Sequence, residues 1–487
     1  MIDLRMTSSL RASTLAILSL LACAACGGQV GGGVSGPIQV TTPNAPSAEL
    51  QTVITYITGQ MASCHVPGGA IAIVKNGKVT DQAGFGVSDP ATGAQATPHT
   101  LFLMGAAGTP VLGALALKLA EEGAVDLDHP VTDYVPLQLG GGADPTAISV
   151  NQLLLATSGF PERLPGQSCG PAAPDAWFLA NASQPLWAPT AAVWNFSHIG
   201  YGVAAWALAD AASESFTDLA ASRVFGPAGM TTATYDPAVA AAGDLAVGAN
   251  IDPSTGDATP ETASYPTTCA LLTPVDGLYA SVLDYASFAG TVLAGGGSML
   301  SPASNATFEA GQTVDYIDPS NRFSYGLYQE EPFEGVTTLH QGGTANGFAT
   351  EIWIIPASDL AIVLAFNGYN STDTCSAFDA ARFAALTYLG LGKSAETNWK
   401  TAPSTWSPFV GTYVDPVNLG TLEVALAGDA LTVRSASYGT VTLSPKSATS
   451  FDATFSTQPQ VTVTFQPDAT GPGGWLVTPY GVGKRQR

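Results

Sequence analysis

Positive charge and reactive side chains are scarce in this chain. Its 487 residues hold 16 Lys plus Arg against 38 Asp plus Glu, a formal net charge of −22 with histidines neutral. So acidic a surface repels phosphate backbones, which excludes nucleic acid as a partner. Charged residues make up 11% of the chain, less than half of the roughly 25% usual in soluble domains. Hydrophobic residues reach 46%, which excludes a disordered chain and leaves material for a large core. Six cysteines and five histidines lie scattered along the sequence and not at metal-ligand spacing, so no metal and no cofactor is expected. Beyond the first residues, no uninterrupted apolar run is long enough to cross a bilayer.

What is present begins with an export signal. Arg5 and Arg11 precede the apolar run Leu15–Leu21, which ends in Ala22-Cys23-Ala24-Ala25-Cys26-Gly27-Gly28. The run is too short to span as a mature helix and has the flanks of a cleaved leader. Small residues before a cysteine resemble the bacterial lipoprotein cleavage site, with Cys26 as the acylated residue and Cys23 as the alternative. Residues 1–26 are therefore read as a lipoprotein-type signal peptide, and the mature chain is expected in the bacterial cell envelope, held to a membrane through a lipid anchor. Four cysteines remain, Cys64, Cys169, Cys269 and Cys375. An even number in an exported chain suggests two disulfides, in any of three pairings.

The Gly/Pro/Thr-rich stretch 27–48 reads as a flexible tether. The folded part is expected from Glu49 to Lys393. Gly69–Val74 reads as a buried strand, Asn76-Gly77 as a hairpin turn, and Lys78–Gly84 as the partner strand. Val111–Ala120 has helical apolar spacing and stops at Gly123. Two strands, Thr350–Pro356 and Leu360–Asn367, precede a helix over Ser376–Leu389. A linker at 394–408 leads to residues 409–487, where apolar and polar residues alternate between Gly- and Asp-rich turns, predicting a small all-β C-terminal domain.

Several stretches, in order, resemble the serine β-lactamase and penicillin-binding-protein superfamily, in its branch of class C β-lactamases, esterases and D-aminopeptidases. They are Val66-Pro67-Gly68-Gly69, Gly84-Phe85-Gly86-Val87-Ser88-Asp89, Leu127-Asp128-His129-Pro130, Thr157-Ser158-Gly159, Asp276-Gly277-Leu278-Tyr279 and His340-Gln341-Gly342-Gly343. The resemblance implies an α/β fold: an antiparallel sheet flanked by helices plus a mostly helical region, with the site between them. It also implies a helix-borne serine with a lysine one turn later, a tyrosine in a Tyr-x-Asn loop, and a Lys-Thr-Gly or His-x-Gly strand that helps bind the substrate carboxylate and oxyanion.

Two of those three motifs are degenerate. The nucleophile position is Ala106 and the lysine position Thr109, and neither side chain can act in that role near neutral pH. None of the seven lysines has a serine three residues before it, so no Ser-x-x-Lys occurs in any alignment. Gly105, Gly108 and Pro110 predict an unwound turn here, with Thr109 as N-cap and Pro110 at the first helical position. In the second motif Phe196 stands at the tyrosine and His198 at the asparagine. Phenylalanine keeps the packing and loses the proton carrier. His340, Gly342 and Gly343 survive as the third motif and are expected to line a pocket.

Other candidates are weaker. His198 reads as a satisfied polar residue, or with His340 as a clamp for a ligand carboxylate. Ser197 lacks a motif-placed base. Gly166-Gln167-Ser168-Cys169-Gly170 matches a nucleophile elbow formally, but flanking prolines argue for a loop. The resulting expectation is an envelope-anchored, catalytically silent relative that binds a cell-wall peptide or a small acyl ligand. The alternative is an active hydrolase of esters, amides or D-amino-acid peptides using non-standard residues.

Overall fold

The computed structural model describes residues 37–162, 185–252, 254–261, 271–313, 322–333, 335–369, 376–393, 405–436, 439–453, 461–469 and 471–486. The signal peptide with Cys23 and Cys26, the Ser168 loop, Cys169, Cys269, Cys375 and most of the expected linker lie outside these residues.

Helix α1 (Ala48–Cys64) starts where the Ser47 side chain accepts the Leu50 N–H at 2.9 Å, an N-cap of the usual kind. It leads into strand β2 (Gly68–Lys75), whose partner β3 (Lys78–Asp89) follows a two-residue turn. Asn76 and Gly77 both take positive φ, 53° and 68°, as a tight hairpin of this length requires. The sheet continues with β4 (Arg322–Ser324), β5 (Leu327–Phe333), β6 (Val336–Ala345), β7 (Phe348–Ile355) and β8 (Leu360–Phe366). With β1 (Val40–Thr41), the order is β1-β3-β2-β8-β7-β6-β5-β4, antiparallel throughout. The expected tether thus joins the fold early: Val40 and Thr41 pair with Phe85 and Gly84, adding backbone hydrogen bonds at the edge of β3.

Both faces of the sheet are covered, which is why β8 is apolar at every position. Ala361, Val363 and Ala365 face the helical region, and Leu360, Ile362, Leu364 and Phe366 face the other core. The first core includes α2 (Thr109–Glu121), α3 (His198–Ala212) and α4 (Val282–Leu293). The second lies under α1 and α5 (Ala377–Leu389).

The C-terminal residues form a closed eight-stranded barrel: β9 (Gly411–Asp415), β10 (Gly420–Ala427), β11 (Ala430–Ser435), β12 (Gly439–Pro445), β13 (Ser450–Ala453), β14 (Val461–Asp468), β15 (Gly471–Thr478) and β16 (Gly481–Arg485). Closure leaves no free sheet edge. The barrel docks beside the second degenerate motif. Buried Gln466 accepts the Trp194 N–H at 2.8 Å and donates to the Trp194 carbonyl at 2.7 Å. Val477 and Val482 pack on Ala188 and Val193.

Candidate functional site

The turn that carries Ala106 is tightened, not unwound. Gly105–Gly108 is a 3-10 turn running straight into α2, and Thr109 has helical φ/ψ of −61° and −30°. Thr109 is therefore the first residue of the helix and not its N-cap. Its buried hydroxyl donates to the Ala106 carbonyl at 2.8 Å and to the Gly326 carbonyl at 3.2 Å. Proline after it forfeits no hydrogen bond, because N–H groups in the first turn have no helical acceptor. Two further hydroxyls hold the same turn. Thr350 on β7 donates to the Met104 carbonyl at 2.7 Å, and Tyr285 on α4 donates to the Ala107 carbonyl. Burial holds the Tyr285 phenol well above its usual range, so it stays a donor. Ala106 itself is half-buried.

Strand β6 lies flush on this turn. A Cβ at Gly343 would stand 2.1 Å from the Met104 carbonyl oxygen and 2.9 Å from the Ala106 nitrogen. Gly343 thus faces the Ala106 turn. His340 and Gly342 do not. Side chains alternate along a strand, and a Cβ at Gly342 would meet Glu351 at 2.2 Å, on the opposite face. The His340 ring packs there against Trp353 and Phe378, at 5.4 Å and 5.5 Å between centroids. The residue that shares Gly343's face is Gln341, which is buried. Of the three residues expected to line one pocket, His340, Gly342 and Gly343, only Gly343 lies against the Ala106 turn.

His340 sits between two carboxylates instead. Its Nε2 lies 3.3 Å from Glu330 and its Nδ1 4.0 Å from Glu351. Burial opposes its charge, but the bond to Glu330 and the charges of Glu330 and Glu351 outweigh it and raise its pKa. Burial pushes the Glu351 carboxyl up to about 7. Neither acid stood out in the sequence; each comes from a neighbouring strand, and only the pairing registers join them to His340.

The second degenerate motif is a helix start. Ser197 is the N-cap of α3: its Oγ accepts the Gly200 N–H at 2.9 Å and donates to the Pro161 carbonyl at 2.5 Å. Both roles fix the hydroxyl away from nucleophilic duty. Phe196 is packed among His198, Tyr201 and Phe323, with ring centroids 5.2, 5.3 and 6.3 Å away. His198 is buried, and its Nε2 lies 3.4 Å from the equally buried Asp276. Asp276 ends the short helix Thr273–Asp276, which packs on both the Ala106 turn and α3. His198 and Ala106 therefore border the same element, while the His340 ring stacks on Tyr328 at 5.5 Å, whose other neighbours are Trp194 at 5.6 Å and Phe323 at 5.2 Å. Among the described residues no three His, Cys, Asp or Glu side chains are grouped to hold a metal ion. Cys64 is buried at the end of α1.

The Beta-lactamase family model matches residues 53–386. The chain is similar to Protein flp of Staphylococcus aureus (strain NCTC 8325 / PS 47), 35% identical over 112 residues, 23% of this chain and 22% of that protein. It is also similar to the Putative penicillin-binding protein PbpX of Bacillus subtilis (strain 168), 29% identical over 167 residues, 34% of this chain and 41% of that one. The matched region thus spans less than half the length of these curated relatives. Among solved structures, SurE superposes with a TM-score of 0.69 at 20% identity, over 90% of this chain and 99% of that one. The octameric penicillin-binding protein homologue from Pyrococcus abyssi gives 0.64 at 20%, over 89% and 100%. A class C β-lactamase gives 0.59 at 20%, over 72% and 98%. At these identities the superpositions speak to the fold alone.

Proposed function

Because the chain belongs to the β-lactamase family, we propose that it is a catalytically silent member that binds a cell-wall peptide or a small acyl ligand at the bacterial envelope. One observation carries the reading. At the position of the attacking serine there is the methyl group of Ala106, and one turn on the Thr109 hydroxyl is tied to two carbonyls. Acyl transfer needs a nucleophile and a group to take its proton, and these positions supply neither.

The test is covalent labelling of the full-length chain with a fluorescent penicillin and a fluorophosphonate, read by intact mass. No adduct is expected; a stoichiometric adduct sinks the proposal. For binding, peptides ending in a D-residue are the first probes, since one SurE structure was solved with D-Leu. Such a peptide should raise the melting temperature of this chain, because a ligand stabilises the state it binds.

The second reading, a hydrolase working through His198, draws on the buried His198–Asp276 pair, which has the form of a base with its orienting carboxylate. It predicts ester or D-amino-acid amide turnover that disappears in His198→Gln. The envelope anchor at Cys26, or at Cys23, is likewise a proposal. Metabolic labelling with a palmitate analogue should be lost in one of the Cys26→Ala and Cys23→Ala variants, and labelling retained in both speaks against lipidation. Two disulfides among Cys64, Cys169, Cys269 and Cys375 complete this reading.

A further inference from the structure

The barrel interior changes character halfway along its axis. At one end it is filled by large rings. Phe451, Phe465 and Tyr413 are fully buried, Phe409 stacks on Phe465 at 4.6 Å with the planes 6° apart, and Trp406 closes on Phe451 at 5.4 Å. The Tyr413 hydroxyl ties this floor to the Phe409 and Gly473 carbonyls, at 2.9 Å each.

Two residues further along the same strands, at positions of the same inward parity, the side chains shrink. Phe451 gives way to Ala453, Phe465 to Val463, Leu443 to Val441 and Leu431 to Val433. Inward positions recur with period two, so this is one layer of small residues above a layer of large ones. The volume they leave is a cavity of about 150 Å³. Its mouth carries Tyr480, 55% exposed; among the described residues that line it none is charged, and Ser435 and Thr478 add two hydroxyls.

A cavity of this size lined mainly by Leu, Val and Ala side chains offers water few hydrogen-bond partners and takes a small apolar molecule instead. The absence of a lining cation or acid gives no partner to an ionised ligand, whose desolvation would go uncompensated. We infer that the C-terminal barrel is a binding site for a small uncharged apolar ligand, of the size of a benzene ring or a short alkyl chain, seated among Val433, Val441, Ala453, Val463 and Leu476 and entering past Tyr480. This site is separate from the Ala106 region and does not rest on the catalytic reading.

The experiment titrates the full-length chain with n-hexanol and with benzene and follows methyl carbon–proton spectra, with hexanoate as the charged control. Saturable shifts are expected at the methyls of Val433, Val463 and Leu476, with a Kd of about 1 mM or tighter. Ala453→Phe, which extends the floor into the cavity, should abolish them, and the milder Val463→Leu should weaken binding several-fold. The inference is overturned if neither neutral probe shifts the barrel methyls of the unaltered protein saturably. It is equally overturned if binding persists in both filled variants, or if hexanoate binds as tightly as hexanol.

Discussion

Substituting Gly343 by alanine decides whether strand β6 truly rests on the Ala106 turn. The backbone at Gly343 does not require glycine, since its φ is not positive. Replacing an interior strand glycine by alanine ordinarily stabilises by about 0.5–1 kcal/mol through the unfolded chain. Here the added Cβ would stand 2.1 Å from the Met104 oxygen, 2.7 Å from the Ala107 nitrogen and 2.9 Å from the Ala106 nitrogen. All three are backbone atoms, so no rotamer change relieves the overlap. The turn cannot drift either without losing the Thr350 bond to Met104. Overpacking of this kind costs about 1–3 kcal/mol, and the broken hydrogen bond about 1 kcal/mol more. A net loss of about 1–3.5 kcal/mol is expected after the entropic gain. Gly290→Ala is the control: it lies inside α4, and its Cβ would meet only Val74 at 3.6 Å, so a gain of about 0.5–1 kcal/mol is expected. Urea unfolding of the full-length chain and the two variants, followed by circular dichroism, gives both signs. A Gly343→Ala protein as stable as the parent would falsify the flush contact, and the placement of Gly343 against Ala106 with it.

Two further variants, one single and one double, probe the neighbouring groups. Glu351 binds its proton more tightly folded than unfolded, with a pKa raised from 4.5 to about 7, so its contribution is complete below pH 4.5 and is lost as pH rises toward 7 and above. Glu351→Gln should flatten that decline, which amounts to at most about 3 kcal/mol, in melting curves taken from pH 4 to pH 8; an unchanged slope contradicts the burial argument. In the other experiment, Ala106→Ser combined with Thr109→Lys restores the missing atoms. It should still give no acyl adduct with a fluorescent penicillin, because the lysine enters a fully buried position and removes the hydroxyl that ties the turn, while Phe196 still supplies no proton carrier. Stoichiometric acylation of the double variant refutes this.

The legible parts of the fold are those whose cause is local. The apolar run in β2 and the Asn76-Gly77 turn announce a hairpin because positive φ at two successive residues suits almost nothing else. The barrel is legible in β10, where buried Leu422 and Val424 alternate with exposed Glu423. The parts that misled were those settled by partners far away in sequence. The rule against helical geometry before proline is overridden at Thr109 by packing and by the Gly326 carbonyl, 217 residues on. The two-residue strand Val40–Thr41 has no pattern of its own and exists because β3 offers an open edge. The motif His340-x-Gly342 fixes a strand but not the face its histidine takes; that depends on which parity meets the Ala106 turn, and Gly343 takes it.

The turn around Ala106 is held from several directions. Three carbonyls of the turn, those of Met104, Ala106 and Ala107, each accept a hydroxyl, and the three donors come from β7, α2 and α4. A loop bonded from three elements has little freedom to sample other arrangements, and Gly343 closes its remaining side. The same holds at the second motif, where Ser197 caps α3 and Gln466 of the barrel clamps Trp194 from outside. Such rigidity is what a binding surface needs, because a preformed site loses little entropy when its ligand arrives. It also limits a new catalytic role for His198, which lies in the first turn of a fixed helix with its ring against Asp276 and Phe196. To act as a base it would need a hydroxyl or water within about 3 Å, and the nearest serine in the motif already donates to Pro161.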